Sequence, residues 1–425
     1  MTETTTKRPR GTWRRRILIF LIGAVLLILL VRSGLDFWAG RRIDAQVARL
    51  EQKYGSLDPA TLTVPAVPES ENRARAIRAA IALIEGQPGA QASLSRFLAQ
   101  RSPAPVPPDL RAFVEANRGA LRQVDEARAR RQSNWETDYS NSLNHPPLLN
   151  IRTLSSVITL AVRMDLEAGR TDDAAAGIAS GLALSASLRQ EPSLISQLIR
   201  IAVAFHHFES VQRLLTGTEP SMASLDVLAN WLAENRMPDP MHVGLLGEMK
   251  TFNAAFVGAA NGNGLPFAPD VPVLGRLTWI ARPSIRLFHA RYLEQVGLLL
   301  ENQTGPRPRP IPPTTRARMS WFGRLNSMAG IEGLERAVDT GDTFNGQLAV
   351  TELAVALRRH RLDHGQYPDA LSALVPAYLV NVPIDPVTGK PPVYGRKGSG
   401  FRLTAEKGRN VTPQMALLLE WTVPK

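Results

Sequence analysis

Fifteen uninterrupted apolar residues, Ile17–Val31 (ILIFLIGAVLLILLV), stand directly behind a block of basic side chains. As a helix the run is roughly 22 Å long, short of the ~30 Å hydrocarbon core of a bilayer, so it needs its flanks. Arg32 can snorkel to the headgroups, and Leu35, Phe37 and Trp38 carry the apolar surface into the interface, which gives a transmembrane anchor over 17–38. A cleaved secretory signal wants small residues at the first and third positions before the cut, but Phe37 stands two before Ala39 and Trp38 two before Gly40. The segment is therefore read as an uncleaved signal-anchor. Lys7, Arg8, Arg10, Arg14, Arg15 and Arg16 precede it, against Arg41 and Arg42 after it, offset by Asp36 and Asp44. The positive-inside rule then puts the basic leader, 1–16, in the cytoplasm and the remainder across the membrane.

The formal charge of +12 suggests nucleic acid until the leader is subtracted: Glu3 and the six basic residues before Ile17 account for +5 of it. The rest is spread along the chain, mostly as Arg, with no aromatic residues interleaved as base-stacking platforms require, so no sequence-specific nucleic-acid partner is expected. Cysteine is absent, which removes disulfide staples and thiolate metal sites while excluding no compartment.

Past the anchor, helical periodicity dominates. Ile43, Val47 and Leu50 predict a short helix over Arg41–Tyr54, and Ala74, Ile77, Ala80, Ile81 and Ile84 a second over Glu71–Glu85. Prolines at 103, 105, 107 and 108 mark a boundary, with Asp109 placed to cap a helix over Leu110–Arg131. From Leu148, the residues Leu154, Val157, Ile158, Ala161, Met164 and Ala168 share a broad face, and Gly169 suits the left-handed position after that helix, with Thr171 or Asp172 as the next cap. Gly177, Gly181 and Ser185 fall four apart, so the second helix can press its backbone on a neighbour, and Pro192 opens a third with Leu194, Leu198, Ile201, Phe205 and Phe208 in line. These three are expected to form an antiparallel array. Further helices are predicted over Ser221–Asn235, Met241–Val257 and Ser284–Gln303, with Gly258–Pro283 a long Gly- and Pro-rich segment whose apolar residues suit docking.

The stretch LEAGRTDDAAAGIASGLAL resembles one hairpin of tetratricopeptide-like helical repeats, in which a helix ends at a Gly turn and an acidic-Ala pair starts its partner. No second copy recurs at a period near 34 residues. The resemblance implies solenoid-like or bundled packing and a protein-binding concavity.

From Gln347 a helix ends near Gly365, followed by a turn through Leu371 and Leu374 and a hairpin formed by Val393-Tyr394 and Phe401–Leu403 around Gly398-Ser399-Gly400. Tyr367 is expected to lay its ring on the helix with its hydroxyl in water. Leu362, Asp363, Gly365, Tyr367, Pro368, Pro383, Asp385, Pro386, Gly389 and Pro391 make this module resemble the globular part of type II secretion pseudopilins. That family carries its module directly behind a processed N-terminal helix, whereas here the anchor lacks the processing site and lies more than three hundred residues upstream, so polymerisation is not expected. The family often binds calcium in an acidic loop after the last strand. In TAEKGRNVTPQ the only acid is Glu406, so no calcium site is expected.

His206 and His207 are adjacent and point about 100° apart, unlike a His-Glu-x-x-His metal pair. His360 and His364 have the right spacing but no evident third ligand, and read as surface or helix-end residues. Asn144–Pro147 with Asp138 reads as a helix-opening turn, and there is no nucleophile elbow, P-loop or dinucleotide fingerprint. The expected fold is mainly α: a membrane-anchored helical bundle or α-solenoid-like body over 39–304, a Pro-rich linker over 305–313, a connecting helical segment over 314–346 and a small α+β module with its tail over 347–425. The expected role is that of a single-pass bacterial inner-membrane protein with a cytoplasmic N-terminus and a periplasmic C-terminus. Its body would serve as an interaction scaffold for an envelope protein and would not be an enzyme. The alternative is a membrane-tethered periplasmic hydrolase with a site assembled by the fold. No catalytic, cofactor-binding or metal-binding residue is assigned, and no cofactor is expected.

Overall fold

The computed structural model describes residues 11–84, 90–100, 104–139, 144–262, 272–303, 331–406 and 420–423. Among these, twelve α-helices are followed by a small antiparallel sheet. The helices are α1 (Gly11–Tyr54), α2 (Arg73–Ala82), α3 (Ala90–Ala99), α4 (Pro108–Ala116), α5 (Arg118–Ala127), α6 (Leu148–Glu167), α7 (Thr171–Ala186), α8 (Leu194–Gly217), α9 (Met222–Asn235), α10 (His242–Ala260), α11 (Pro272–Gln303) and α12 (Ile331–His364). The strands are β1 (Val393–Lys397), β2 (Gly400–Thr404) and β3 (Glu420–Val423). The chain divides into two compact units, one of Met1–Asp58 with Met249–Gly297, the other of Pro59–Glu248 with Leu298–Lys425.

In the smaller unit, α1 is one helix of 44 residues, ~66 Å long. The separate helix expected over Arg41–Tyr54 is its continuation, because no proline intervenes and Gly40 is tolerated where Arg286 approaches, 3.1 Å from the position a Cβ would take. Among the described residues α1 is the one helix long and apolar enough to cross a membrane, with a mean hydropathy of 2.6 over its best window, none of it buried within the molecule. The described residues of the segment expected as a long loop, Gly258–Pro283, are mostly helical: α10 runs to Ala260 and α11 starts at Pro272, with Pro283 inside it, while 263–271 lie outside the described residues. Phe252, Phe256 and Tyr292 stack where α10 and α11 meet, with ring centroids 5.3 to 6.1 Å apart.

The larger unit is built around α7, whose buried residues Ala174, Ala175, Ile178, Leu182 and Ala186 meet α5, α6, α8 and α9. The small-residue stripe does what its spacing predicts. A Cβ on Gly177 would stand 2.7 Å from Val162 of α6, and one on Gly181 2.0 Å from the His207 ring of α8. Ser185 donates to the Arg200 carbonyl and the Asn235 side chain. Gly169 takes a φ of +72°, ending α6 as expected. The cap expected at Thr171 or Asp172 is absent: both lie in the first turn, and Asp172 instead accepts hydrogen bonds from Ser221 and Ser224 at the start of α9.

The single helix expected over Leu110–Arg131 is two, broken at Asn117. There the side chain donates to the Phe113 carbonyl four residues back, and the backbone leaves helical geometry. Asp109 is likewise not the cap: Pro107 occupies that position, and Pro108 takes the first helical position, where its missing N–H costs nothing. A satellite core of Leu94, Phe97, Leu110, Phe113, Val157 and Leu160 joins α3 and α4 to α6.

Asn72 is fully buried, caps α2 by accepting from the Ala74 N–H, also accepts from the Asn134 N–H, and donates to the Asn134 carbonyl. Asn72→Ala leaves the buried Ala74 N–H and the part-buried Asn134 N–H and carbonyl without their partner. It should cost about 2 kcal/mol in chemical denaturation of the full chain in detergent.

At the C-terminus, α12 runs unbroken across the position where the α+β module was expected to begin and ends at Gly365, which takes a φ of +74°. The hairpin forms as read, with Tyr394 opposite Leu403, but β3 pairs on the other side of β2 and was not foreseen. Phe401 meets Tyr367 edge-on at 4.9 Å. The Tyr367 hydroxyl is not in water: the residue is buried, and the oxygen accepts from Arg358 at 3.1 Å. The Pro-rich stretch Gly305–Pro313, residues 314–330 of the connecting segment and the stretch 407–419 lie outside the described residues.

Candidate functional site

The histidines singled out from sequence occupy three different settings. His207 is fully buried beneath Gly181 with Nε2 3.2 Å from the Ser155 hydroxyl, and burial lowers its pKa to about 3, so it is a neutral core residue. His206 faces a cleft of about 270 Å³ between α3, α6 and α8, together with Arg152, Arg163, Glu209 and Arg213. In that cleft Glu209 is engaged by Arg213 at 3.0 Å, and the hydroxyls of Ser156, Thr159 and Ser210 each donate to the carbonyl four residues back.

His360 and His364 stack at 4.1 Å on α12. Both lie at the C-terminal end of the helix, the helix-end half of the expectation; His360 is not at the surface but buried, with Nδ1 3.0 Å from the Gln366 carbonyl, because the chain turns back at Gly365 and covers it. Asn144 donates to the Asp138 carbonyl and α6 opens at Leu148, the helix-opening turn that was expected. Among the described residues no three His, Asp or Glu side chains converge as a metal centre needs.

A different place shows the strongest unmet chemistry. Beside α12, a groove of about 640 Å³ is walled by Met237 and Pro238 on one side, Leu348 and Ala349 along α12, and Val382, Pro383, Ile384 and Pro386 on the other. This volume falls within the range of ligand and peptide pockets, roughly 300–1,000 Å³. The outer wall is held by the turn residues that the sequence singled out. Asp385, 1% exposed, accepts the N–H groups of Val387 and Glu406, and its own N–H donates to the Lys390 carbonyl. Gly389 closes the turn at a φ of +68°, donating to the Asp385 carbonyl. Burial raises the Asp385 pKa against the opposing pull of those amide bonds.

At the rim, Arg236 forks onto Glu352 with bonds of 3.1 and 2.7 Å. Burial pushes the Glu352 carboxyl up, and Arg236 pulls it back. The pair sets opposite charges against each other at the rim.

Gln303 lines this groove at 4% exposure, and among the described residues neither its Nε2 nor its Oε1 meets a hydrogen-bond partner. Asn345 donates to the Pro238 carbonyl, while its Oδ1 is buried without a donor. A buried carboxamide with both ends unmet costs about 1–3 kcal/mol per group, and such groups are rare in folded chains. The signal for Gln303 was present in the sequence: it follows Val296, Leu299 and Leu300 at spacings of seven, four and three, on the apolar stripe of α11, where a Leu would be ordinary.

No protein-family model, curated protein or solved structure matches the chain.

Proposed function

We propose that this chain is a single-pass bacterial inner-membrane protein, anchored through 17–38 with a cytoplasmic N-terminus, whose periplasmic body docks an extended apolar segment of an envelope protein in the groove beside α12. The carrying observation is Gln303. A carboxamide offers one donor group and one acceptor group, the complement of a main-chain amide, and here it sits among Met, Pro, Leu and Ile walls that suit apolar side chains. The anchor and the basic bias before it support the topology. The likeness of the Leu166–Leu184 stretch to a tetratricopeptide hairpin, and of the C-terminal module to pseudopilins, supports a protein partner in the envelope.

Gln303→Leu separates binding from folding. Removing two unmet polar atoms from a buried site should stabilise the full chain by about 1 kcal/mol or more, read as a higher Tm in detergent. The same change should abolish a photo-crosslink formed in native membranes from a benzophenone residue at Ile384, which is 58% exposed on the groove wall. An adduct that survives Gln303→Leu, or that forms equally from exposed Leu149 on α6, would rule the docking groove out.

A further inference from the structure

Along the smaller unit, α1 and α11 run parallel, and their contacts keep register. The Arg32 Nε donates to the Trp279 carbonyl at 3.0 Å, and its guanidinium lies 4.2 Å from the centre of the Trp279 ring. One turn on, Asp36 pairs with Arg286 at 3.3 Å and Arg282 at 3.7 Å. Farther along, Arg42 pairs with Glu294 at 2.7 Å, and Leu50 packs on Gly297. Arg32–Leu50 of α1 and Trp279–Gly297 of α11 are thus traversed in the same direction, nineteen residues on each helix.

This register sets the depth of α11. Arg32 closes the apolar run, so the seven residues of α11 before Trp279 extend back along the anchor by ~10 Å, below the level of Arg32. Trp279 and Ile280 are 57% and 59% exposed, and on α1 Leu35, Phe37 and Trp38 are exposed at the same level. These exposed apolar and aromatic residues have the composition found at a membrane–water interface. The stretch Pro272–Ile280 (PVLGRLTWI) contains one cation, Arg276, a residue type tolerated at headgroup depth and costly in hydrocarbon.

We propose that Pro272–Ile280 lies in the headgroup–acyl boundary of the bilayer beside the anchor, making α11 a second membrane-contacting element. This rests on the reading of 17–38 as membrane-spanning. The Asp36 pairs with Arg282 and Arg286 fix how far α11 reaches, so the segment is held at the surface and does not cross.

The chain has no cysteine, so single labels are clean. The full-length protein carrying Ile280→Cys, Leu26→Cys or Leu149→Cys, each with an environment-sensitive fluorophore, is placed in vesicles of zwitterionic and anionic phospholipid containing shallow or deep spin-labelled acyl chains. The Ile280 label should lose fluorescence to shallow quenchers more than to deep ones. The Leu26 label should answer most to deep quenchers, and the Leu149 label only to aqueous iodide. If Leu26 is lipid-quenched while Ile280 answers only to iodide, the inference falls and the anchor stands. A Leu26 label silent to lipid quenchers removes the anchor reading and the inference with it.

Discussion

Gly181→Ala should destabilise the full chain by at least about 3 kcal/mol, read by chemical denaturation in detergent. The new Cβ would stand 2.0 Å from His207 Cε1 and 2.1 Å from Nε2, closer than any real contact. The ring cannot swing aside into water, because His207 is fully buried, with Phe208 beside it in the core and Ser155 at its Nε2. Helix α7 would have to move off α8, although its small-residue stripe is what lets the two approach. The double variant Gly181→Ala/His207→Ala relieves the clash and should be more stable than Gly181→Ala alone, a coupling on the order of 1–3 kcal/mol. Strictly additive costs would show that the contact is not the source.

Glu191→Gln should raise stability at pH 8 by about 3 kcal/mol and leave it nearly unchanged at pH 4. Burial lifts the Glu191 carboxyl to about 7 from an ordinary 4.5, opposed by the Tyr139 hydroxyl that donates to it. A carboxyl with a raised folded pKa contributes stability below its unfolded value, and that stability is lost as pH climbs from 4.5 to 7. At about 1.4 kcal/mol per unit, the window amounts to ~3 kcal/mol. Gln keeps an acceptor for Tyr139 and carries no charge to bury. Glu248, lifted to about 7 by burial, tilts the profile the same way.

His207 opposes this trend. Its pKa is depressed to about 3, so its contribution is complete above 6.5 and is lost as pH falls toward 3. The native protein should therefore lose stability on both sides of a weakly acidic optimum, whereas Glu191→Gln should lose it mainly on the acid side. Equal denaturation midpoints for the two proteins across the range from about pH 5 to about pH 8 would place Glu191 in contact with water.

The electrostatics of this interior were only partly visible in the sequence. Arg200 is fully buried with its guanidinium donating to Gln197 and the Asn235 carbonyl, its centre 5.0 Å from the Phe344 ring, and desolvation lowers its pKa to about 9. Nothing in the LIRIAVAF string marks that position as different from an exposed Arg, because its surroundings come largely from other helices.

What the sequence determined is local. The apolar run of α1, the left-handed Gly169, the end of a helix near Gly365, the stripe of Gly177, Gly181 and Ser185, and the hairpin around Gly398 all follow from periodicity and turn chemistry within a few residues. Where the reading failed, a distant element had intervened or a neighbouring residue had competed for the same role. The cap positions of α4 and α7 went to other residues, α1 continued past its apolar run, and β3 added to a hairpin from beyond a long connection.

Only the tertiary structure decided which small residue meets which ring, that α1 and α11 run parallel, and that Gln303 lies unmet in a groove whose far wall is set by Asp385. Partners of that kind are separated by tens to hundreds of residues, and their pairing depends on the packing of the whole unit. No spacing along one stretch of sequence encodes it.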